Sequence, residues 1–214
     1  MIRFARPVTL IGGGETRAAD LALALSLAPV LVAADGGADR ALALGHRPRA
    51  AIGDFDSISE AARAAISPEG LIHIAEQDST DFEKCLTRID APFVLAVGFT
   101  GARVDHMLAA LSVLARRVGP PCLILGGDEV IFLAPPQLEL ELQAGTRVSL
   151  FPLGPARGRS TGLRWPIDGI EFTPAGRIGT SNEATGPVTL RIDGPMIVLL
   201  ARDNLAAALR GMGL

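Results

Sequence analysis

The feature that most constrains the fold is a change of hydrophobic period two-thirds of the way along the chain. Over residues 1–133, short apolar runs alternate with helix-like runs. The strand-like runs are Val8-Thr9-Leu10-Ile11, Val30-Leu31-Val32-Ala33, Ala50-Ala51-Ile52, Leu71-Ile72-His73-Ile74, Phe93-Val94-Leu95-Ala96-Val97, Cys122-Leu123-Ile124-Leu125 and Val130-Ile131-Phe132-Leu133. Such continuous apolar strands suit a parallel sheet covered on both faces. Helices are expected over 16–27, 38–44 and 59–66, from Thr80 onward, and up to Arg117. At Ala134-Pro135-Pro136 the pattern breaks, and Leu138-Glu139-Leu140-Glu141-Leu142 alternates strictly with period two. Val148–Phe151, Val188–Ile192 and Met196–Leu200 continue as strands, before one short helix near 204–210. The expectation is α/β: an N-terminal doubly wound, mostly parallel sheet domain over 1–134, and a smaller C-terminal antiparallel β-sandwich domain over 137–214.

The chain has 214 residues and is 49% hydrophobic, which is enough for a real core. A formal net charge of -3 argues against a nucleic-acid surface, so an anionic ligand must be held by local devices. Lys84 is the only lysine, which excludes the Gly-Lys-Ser/Thr phosphate loop. Cys85 and Cys122 sit in separate apolar settings without CxxC spacing, as expected of buried free thiols in a reducing compartment. Val8–Ile11 is too short for a signal-peptide core. The longest apolar stretch, Leu21 to Ala34, is below membrane-spanning length and broken by Pro29. A soluble cytoplasmic protein with no membrane partner is expected.

Acidic residues recur where the strand-like runs end. Ala34-Asp35-Gly36-Gly37 follows the second run, and Ile52-Gly53-Asp54-Phe55-Asp56-Ser57 follows the third. If that backbone is extended, Asp54 and Asp56 point to the same side. Two close carboxylates repel unless a cation lies between them, and Mg²⁺ is the usual partner in phosphate chemistry. Ser57-Ile58-Ser59-Glu60 also has a capping-box pattern, which accounts for Ser57 and Glu60 but for neither aspartate. Asp81 follows the next strand, in Gln77-Asp78-Ser79-Thr80-Asp81-Phe82-Glu83. A Thr80/Glu83 capping box puts it in a first helical turn, where the macrodipole alone is sufficient reason for an acid.

Glycines mark two further strand ends. Gly12-Gly13-Gly14 is a phosphate cradle or a plain turn, and Arg17 rules out the dinucleotide fingerprint. Gly98-Phe99-Thr100-Gly101-Ala102-Arg103-Val104-Asp105-His106 suits a polyphosphate: Gly98 and Gly101 permit close approach, and Arg103 brings a fork of donors before a helix N-terminus. Asp105 serves there or is only an N-cap, and His106 is a ligand contact or a surface residue. In the second half, the lone Trp165 either fills the sandwich core or stacks on a flat heteroaromatic ligand.

Taken in order, the blocks Ala34–Ala38, Gly53–Ser57, Gln77–Lys84, Gly101–His106, Gly162-Leu163-Arg164-Trp165-Pro166 and Ser181-Asn182-Glu183 resemble the thiamine pyrophosphokinase family. The resemblance implies transfer of a diphosphate from ATP to thiamine, in a homodimer whose site is shared between subunits. It implies that Asp54, Asp56 and Asp81 handle Mg²⁺ and phosphates, with Asp35, Gln77 and Asp105 close by. Arg103 and its glycines, with His106, would hold ATP, and Trp165, Ser181 and Asn182 would hold thiamine from the partner subunit. Arg164 and Val104 depart slightly from the usual pattern. The rival expectations are a diphosphokinase acting on another heterocyclic alcohol such as a hydroxymethylpterin, and a non-catalytic nucleotide or thiamine sensor.

Overall fold

The structure is a computed structural model that describes residues 1–101 and 103–214. The chain forms two compact units, Met1–Gly127 and Asp128–Leu214.

In the first unit the elements run β1 (Ile2–Arg3), β2 (Val8–Ile11), α1 (Ala18–Leu27), β3 (Val30–Ala34), α2 (Gly37–Ala43), β4 (Ala50–Gly53), α3 (Glu60–Ala65), β5 (Leu71–His73), α4 (Asp81–Arg88), β6 (Ile89–Asp90), β7 (Val94–Val97), α5 (Val104–Ala115) and β8 (Cys122–Gly126). Six of the strands form a parallel sheet in the order β5-β4-β3-β2-β7-β8, and β1 pairs separately with β6. Every residue of β2, β4 and β7 is buried, because helices returning between parallel strands cover both faces. From β2 the chain winds outward through β3, β4 and β5, then crosses back to β7 on the other side of β2. Open α/β sheets take ligands at such a reversal, beyond the carboxyl ends of the strands.

Close backbone approach shapes that edge. A side chain at Gly12 would meet the Gly98 carbonyl at 2.7 Å, so the loops after β2 and β7 touch only because both positions are glycine. Gly37, the first residue of α2, has the same constraint: a Cβ there would lie 2.1 Å from the Ile11 carbonyl oxygen.

The second unit holds β9 (Glu129–Leu133), β10 (Gln137–Leu140), β11 (Arg147–Pro152), β12 (Ala156–Leu163), β13 (Glu171–Phe172), β14 (Gly179–Asp193), β15 (Met196–Ala201) and α6 (Leu205–Gly211). All of its strand pairings are antiparallel, in the order β13-β12-β14-β11-β15-β9, with β10 also on β14. The 15-residue β14 belongs to both layers of the sandwich. Its first part pairs with β11, and its last part, Val188–Asp193, runs between β10 and β12. A strand that changes sheets at a bend is a common way to build a sandwich corner. Leu138, Leu140, Val148, Leu150, Val188 and Leu190 are buried, as the period-two pattern requires.

β12 and the start of β14 were not legible in the sequence. β12 reads Ala-Arg-Gly-Arg-Ser-Thr-Gly-Leu and lacks apolar alternation. It is a strand because β14 lies beside it, and Gly158 lets that strand come close: a Cβ there would sit 2.6 Å from the Arg191 carbonyl.

Replacing Gly37 by alanine should destabilise the protein by about 1–3 kcal/mol, the usual range for overpacking. Urea unfolding of the variant checks this, and an unchanged midpoint would contradict it.

Candidate functional site

The carboxyl edge of the parallel sheet brings three aspartates together. Asp35 directly follows β3 and Asp54 directly follows β4, neighbouring strands paired through Ala34 and Ile52. The Asp35 amide donates to the Ile52 carbonyl at 3.0 Å. Gly53 leaves room for it, since a Cβ there would lie 2.8 Å from the Asp35 Cβ. Asp81 opens α4, capped by Thr80, whose hydroxyl accepts the Glu83 amide at 3.3 Å. One carboxylate oxygen from each of Asp35, Asp54 and Asp81 lies within 4.8 Å of the others.

Two local expectations are corrected here. The backbone through Asp54-Phe55-Asp56 is not extended, because Phe55 adopts φ 64. The Arg63 guanidinium stacks 5.3 Å from the Phe55 ring and donates to its carbonyl, holding this unusual conformation. Asp56 is exposed beside Asp35. Nor does Ser57 cap a helix. Its hydroxyl and amide donate to Asp35 Oδ2 at 2.5 Å and 3.2 Å, while Ser59 caps α3 by accepting the Ala62 amide.

Each carboxylate has a distinct setting. Asp35 is 1% exposed, and among the described residues its Oδ1 has no hydrogen-bond partner. Burial pushes its pKa up, with Asp56 and Asp81 adding to the rise and the Ser57 hydrogen bonds opposing it. Asp81 is also raised, chiefly by burial, against the pull of Lys84. Asp54 is lowered: Gln77 Nε2 donates to its Oδ2 at 2.6 Å, and Lys84 Nζ approaches the same oxygen at 3.3 Å. An orphaned buried oxygen among hard carboxylate donors fits a divalent cation of the Mg²⁺ or Ca²⁺ type.

Among the described residues, the glycine-rich loop after β7 meets this trio only indirectly, through Phe99 packing 4.5 Å from the ring of Phe82. Gly98 and Gly101 have φ 78 and φ 126, and Ala102 lies outside the described residues. Arg103 gives its guanidinium to Asp105 at 2.6 Å, both side chains and His106 being exposed at the start of α5. That pairing lowers the Asp105 pKa.

The second unit has a cleft of about 380 Å³, lined among others by Trp165, Ile170, Phe172, Ile178, Ser181 and Asn182. Trp165 is 54% exposed, so it is not a core residue, and Arg164 covers part of its ring at 5.0 Å. Asn182 is buried, and its amide accepts the Trp165 N–H at 3.2 Å and donates to the Trp165 carbonyl at 2.7 Å. Asn182 thus fixes the segment that presents the indole. Ser181 stands next to it with φ 60, its amide donating to Ser149 Oγ.

Two family models match these halves in order: "Thiamin pyrophosphokinase, catalytic domain" over residues 21–123 and "Thiamin pyrophosphokinase, vitamin B1 binding domain" over residues 137–197. The thiamine pyrophosphokinase 1 proteins of Oryza sativa subsp. japonica and Arabidopsis thaliana are 30% and 31% identical to the chain. Those alignments cover 71% and 72% of this chain, and 70% and 71% of the two relatives. The chain belongs to the thiamine pyrophosphokinase family.

A thiamin pyrophosphokinase structure from Candida albicans shares the fold, with TM-score 0.76 at 16% identity over 92% of this chain and 89% of that one. The aspartate trio falls within the catalytic-domain match of this family, and Trp165 and Asn182 fall within the vitamin B1-binding match. The structure adds one residue to the site. Lys84, 3% exposed, contacts both Asp54 and Asp81. Its signal was available: it is the chain's only lysine and stands three residues after Asp81, on the same helix face.

Replacing Asn182 by alanine should cost about 1–3 kcal/mol through the polar groups it leaves unpaired. The sole tryptophan should then show lower fluorescence anisotropy, and an unchanged value would mean that Asn182 does not hold it.

Proposed function

We propose that the chain is a thiamine diphosphokinase, which uses Mg²⁺ and ATP to convert thiamine into thiamine diphosphate and releases AMP. The observation that carries this reading is the aspartate trio at the carboxyl edge of the sheet, inside the stretch matched by the family's catalytic domain. In the reaction the thiamine hydroxyl oxygen bonds to the β-phosphorus of ATP. The bond from that phosphorus to the α,β-bridging oxygen breaks, and AMP leaves with the bridging oxygen. The hydroxyl proton passes to a carboxylate or to water.

Asp35, Asp54 and Asp81 offer oxygens to the metal, with Asp56 beside them on the exposed side. Bound there, Mg²⁺ would neutralise and align phosphate oxygens, which is most of what phosphoryl transfer asks of an enzyme. Gln77 orients Asp54 from the solvent side. Arg103, freed from Asp105 or together with it, is assigned to the polyphosphate along with Gly98, Gly101 and His106. Asp81 and Asp56 are the candidate bases for the hydroxyl proton. Trp165 and Ser181 are assigned to the thiamine rings, and Asn182 keeps Trp165 in place. The acidic edge suits the thiamine cation as well as the metal.

Residues 1–134 are assigned to nucleotide and catalysis, and 137–214 to thiamine. The active form is taken to be a homodimer whose site is shared between subunits. A reducing, cytoplasmic setting fits the two buried free thiols.

Incubation with ATP, Mg²⁺ and thiamine, followed by chromatography, should give thiamine diphosphate and AMP in equal amounts. Thiamine monophosphate with ADP would contradict attack at the β-phosphorus, and turnover of a hydroxymethylpterin alone would contradict the substrate. Asp54→Ala should lower turnover by at least about 10²-fold while the protein stays folded.

A further inference from the structure

Lys84 is a cation built into the floor of the acidic trio. Its side chain is 2% exposed, so it approaches the carboxylates from the protein interior, on α4. Nζ lies 3.3 Å from Asp54 Oδ2 and 3.4 Å from Asp81 Oδ1. Both distances exceed those of a tight charge-assisted hydrogen bond, about 2.7–2.9 Å. The ammonium therefore attracts both carboxylates without saturating either one. Phe82, Cys85 and Leu86 on the same helix are also buried, so the Lys84 stem runs through the interior to reach the carboxylates. Lys84 thus meets two of three carboxylates whose oxygens lie within 4.8 Å of one another, and among the described residues Asp35 Oδ1 has no partner.

We propose that Lys84 is the resident counter-cation of this trio: it holds Asp54 and Asp81 together when no divalent ion is bound, and it weakens the binding of that ion. Lys84 is a positioning residue, acting through the carboxylates rather than on a substrate. The two effects come from the same charge. Without it, carboxylates this close repel one another and the edge of the sheet is strained apart. With it, an arriving divalent ion meets a like charge a few ångströms below its ligands. The metal is then held loosely by the protein alone, and the phosphates of a nucleotide must supply the rest of its coordination, as is usual for Mg²⁺.

The inference rests on the metal reading of the trio, and the test separates the two. Mn²⁺ binding is measured by the electron paramagnetic resonance of the free ion, without nucleotide, for the wild-type protein, Lys84→Met and Lys84→Arg. Thermal unfolding is followed in chelator and in Mn²⁺. Lys84→Met keeps the length of the side chain and removes the charge. It should bind Mn²⁺ at least about tenfold more tightly than wild type, given how strongly charges interact at this range even at a protein's effective dielectric. It should also unfold at a lower temperature in chelator and gain more from Mn²⁺. Lys84→Arg keeps the charge and should stay within about threefold of the wild-type affinity.

Equal or weaker Mn²⁺ binding by Lys84→Met overturns the inference while leaving the metal site standing. A tightening shared by Lys84→Arg also overturns it, because packing and not charge would then be the cause. No Mn²⁺ binding by either the wild-type protein or Lys84→Met removes both the inference and the metal reading beneath it. If Lys84→Met is soluble only with Mn²⁺ present, the counter-cation role is supported, and insolubility under both conditions overturns it.

Discussion

Three carboxylates held within 4.8 Å repel one another, and much of the first unit is arranged so that this repulsion can be sustained. Parallel pairing of β3 with β4 places Asp35 beside Asp54, and a glycine at position 53 removes the side chain that would keep them apart. Ser57 donates twice to one oxygen of Asp35, Gln77 donates to Asp54, and Lys84 reaches both Asp54 and Asp81 from beneath. What remains among the described residues is a buried oxygen without a hydrogen-bond partner, Asp35 Oδ1. A buried carboxylate oxygen in that position, beside two further carboxylates, is one that a bound cation would satisfy. Asp35 and Asp81 are raised by burial and Asp54 is lowered by its donors, so the trio is divided electrostatically before any ligand arrives.

The second unit answers a different requirement, the presentation of a flat aromatic ring to solvent. An exposed indole on a loop would ordinarily be mobile. Here the buried Asn182 side chain takes both backbone hydrogen bonds of Trp165, and Arg164 packs on its ring while approaching Glu183 at 3.5 Å. Asn182 can do this because β14 carries it inward at the position before the strand bends toward the second layer. The same strand therefore supports the sandwich core and the wall of the cleft.

Most of the first unit was legible, since its strands are apolar throughout and the intervening glycines and acids fall where parallel strands end. The Val130–Leu133 run, expected in that sheet domain, instead pairs antiparallel with β15 in the second unit. Asp35, Asp54 and Asp81 could be placed on one rim from that pattern alone. Side-chain roles were less legible. The Ser57-Ile58-Ser59-Glu60 pattern admits either serine as the cap, and the choice of Ser59 depends on Asp35 drawing Ser57 away. The positive φ of Phe55 depends on Arg63, eight residues on, which no local pattern specifies. Lys84 has the sequence context of a surface lysine near a helix start, and only the tertiary fold shows that it is buried. In the second unit, β12 escaped because its glycines and arginines carry no hydrophobic period and its partner β14 lies almost thirty residues further along.

Everything proposed for the first unit depends on Asp35, Asp54 and Asp81 forming one divalent-metal site. Its most direct test is the anomalous scattering of crystals soaked in Mn²⁺ without nucleotide. One dominant peak is expected, bounded by carboxylate oxygens of these three residues, with Asp35 Oδ1 among the ligands. A peak on other residues, with Asp35 Oδ1 left bare, would contradict it.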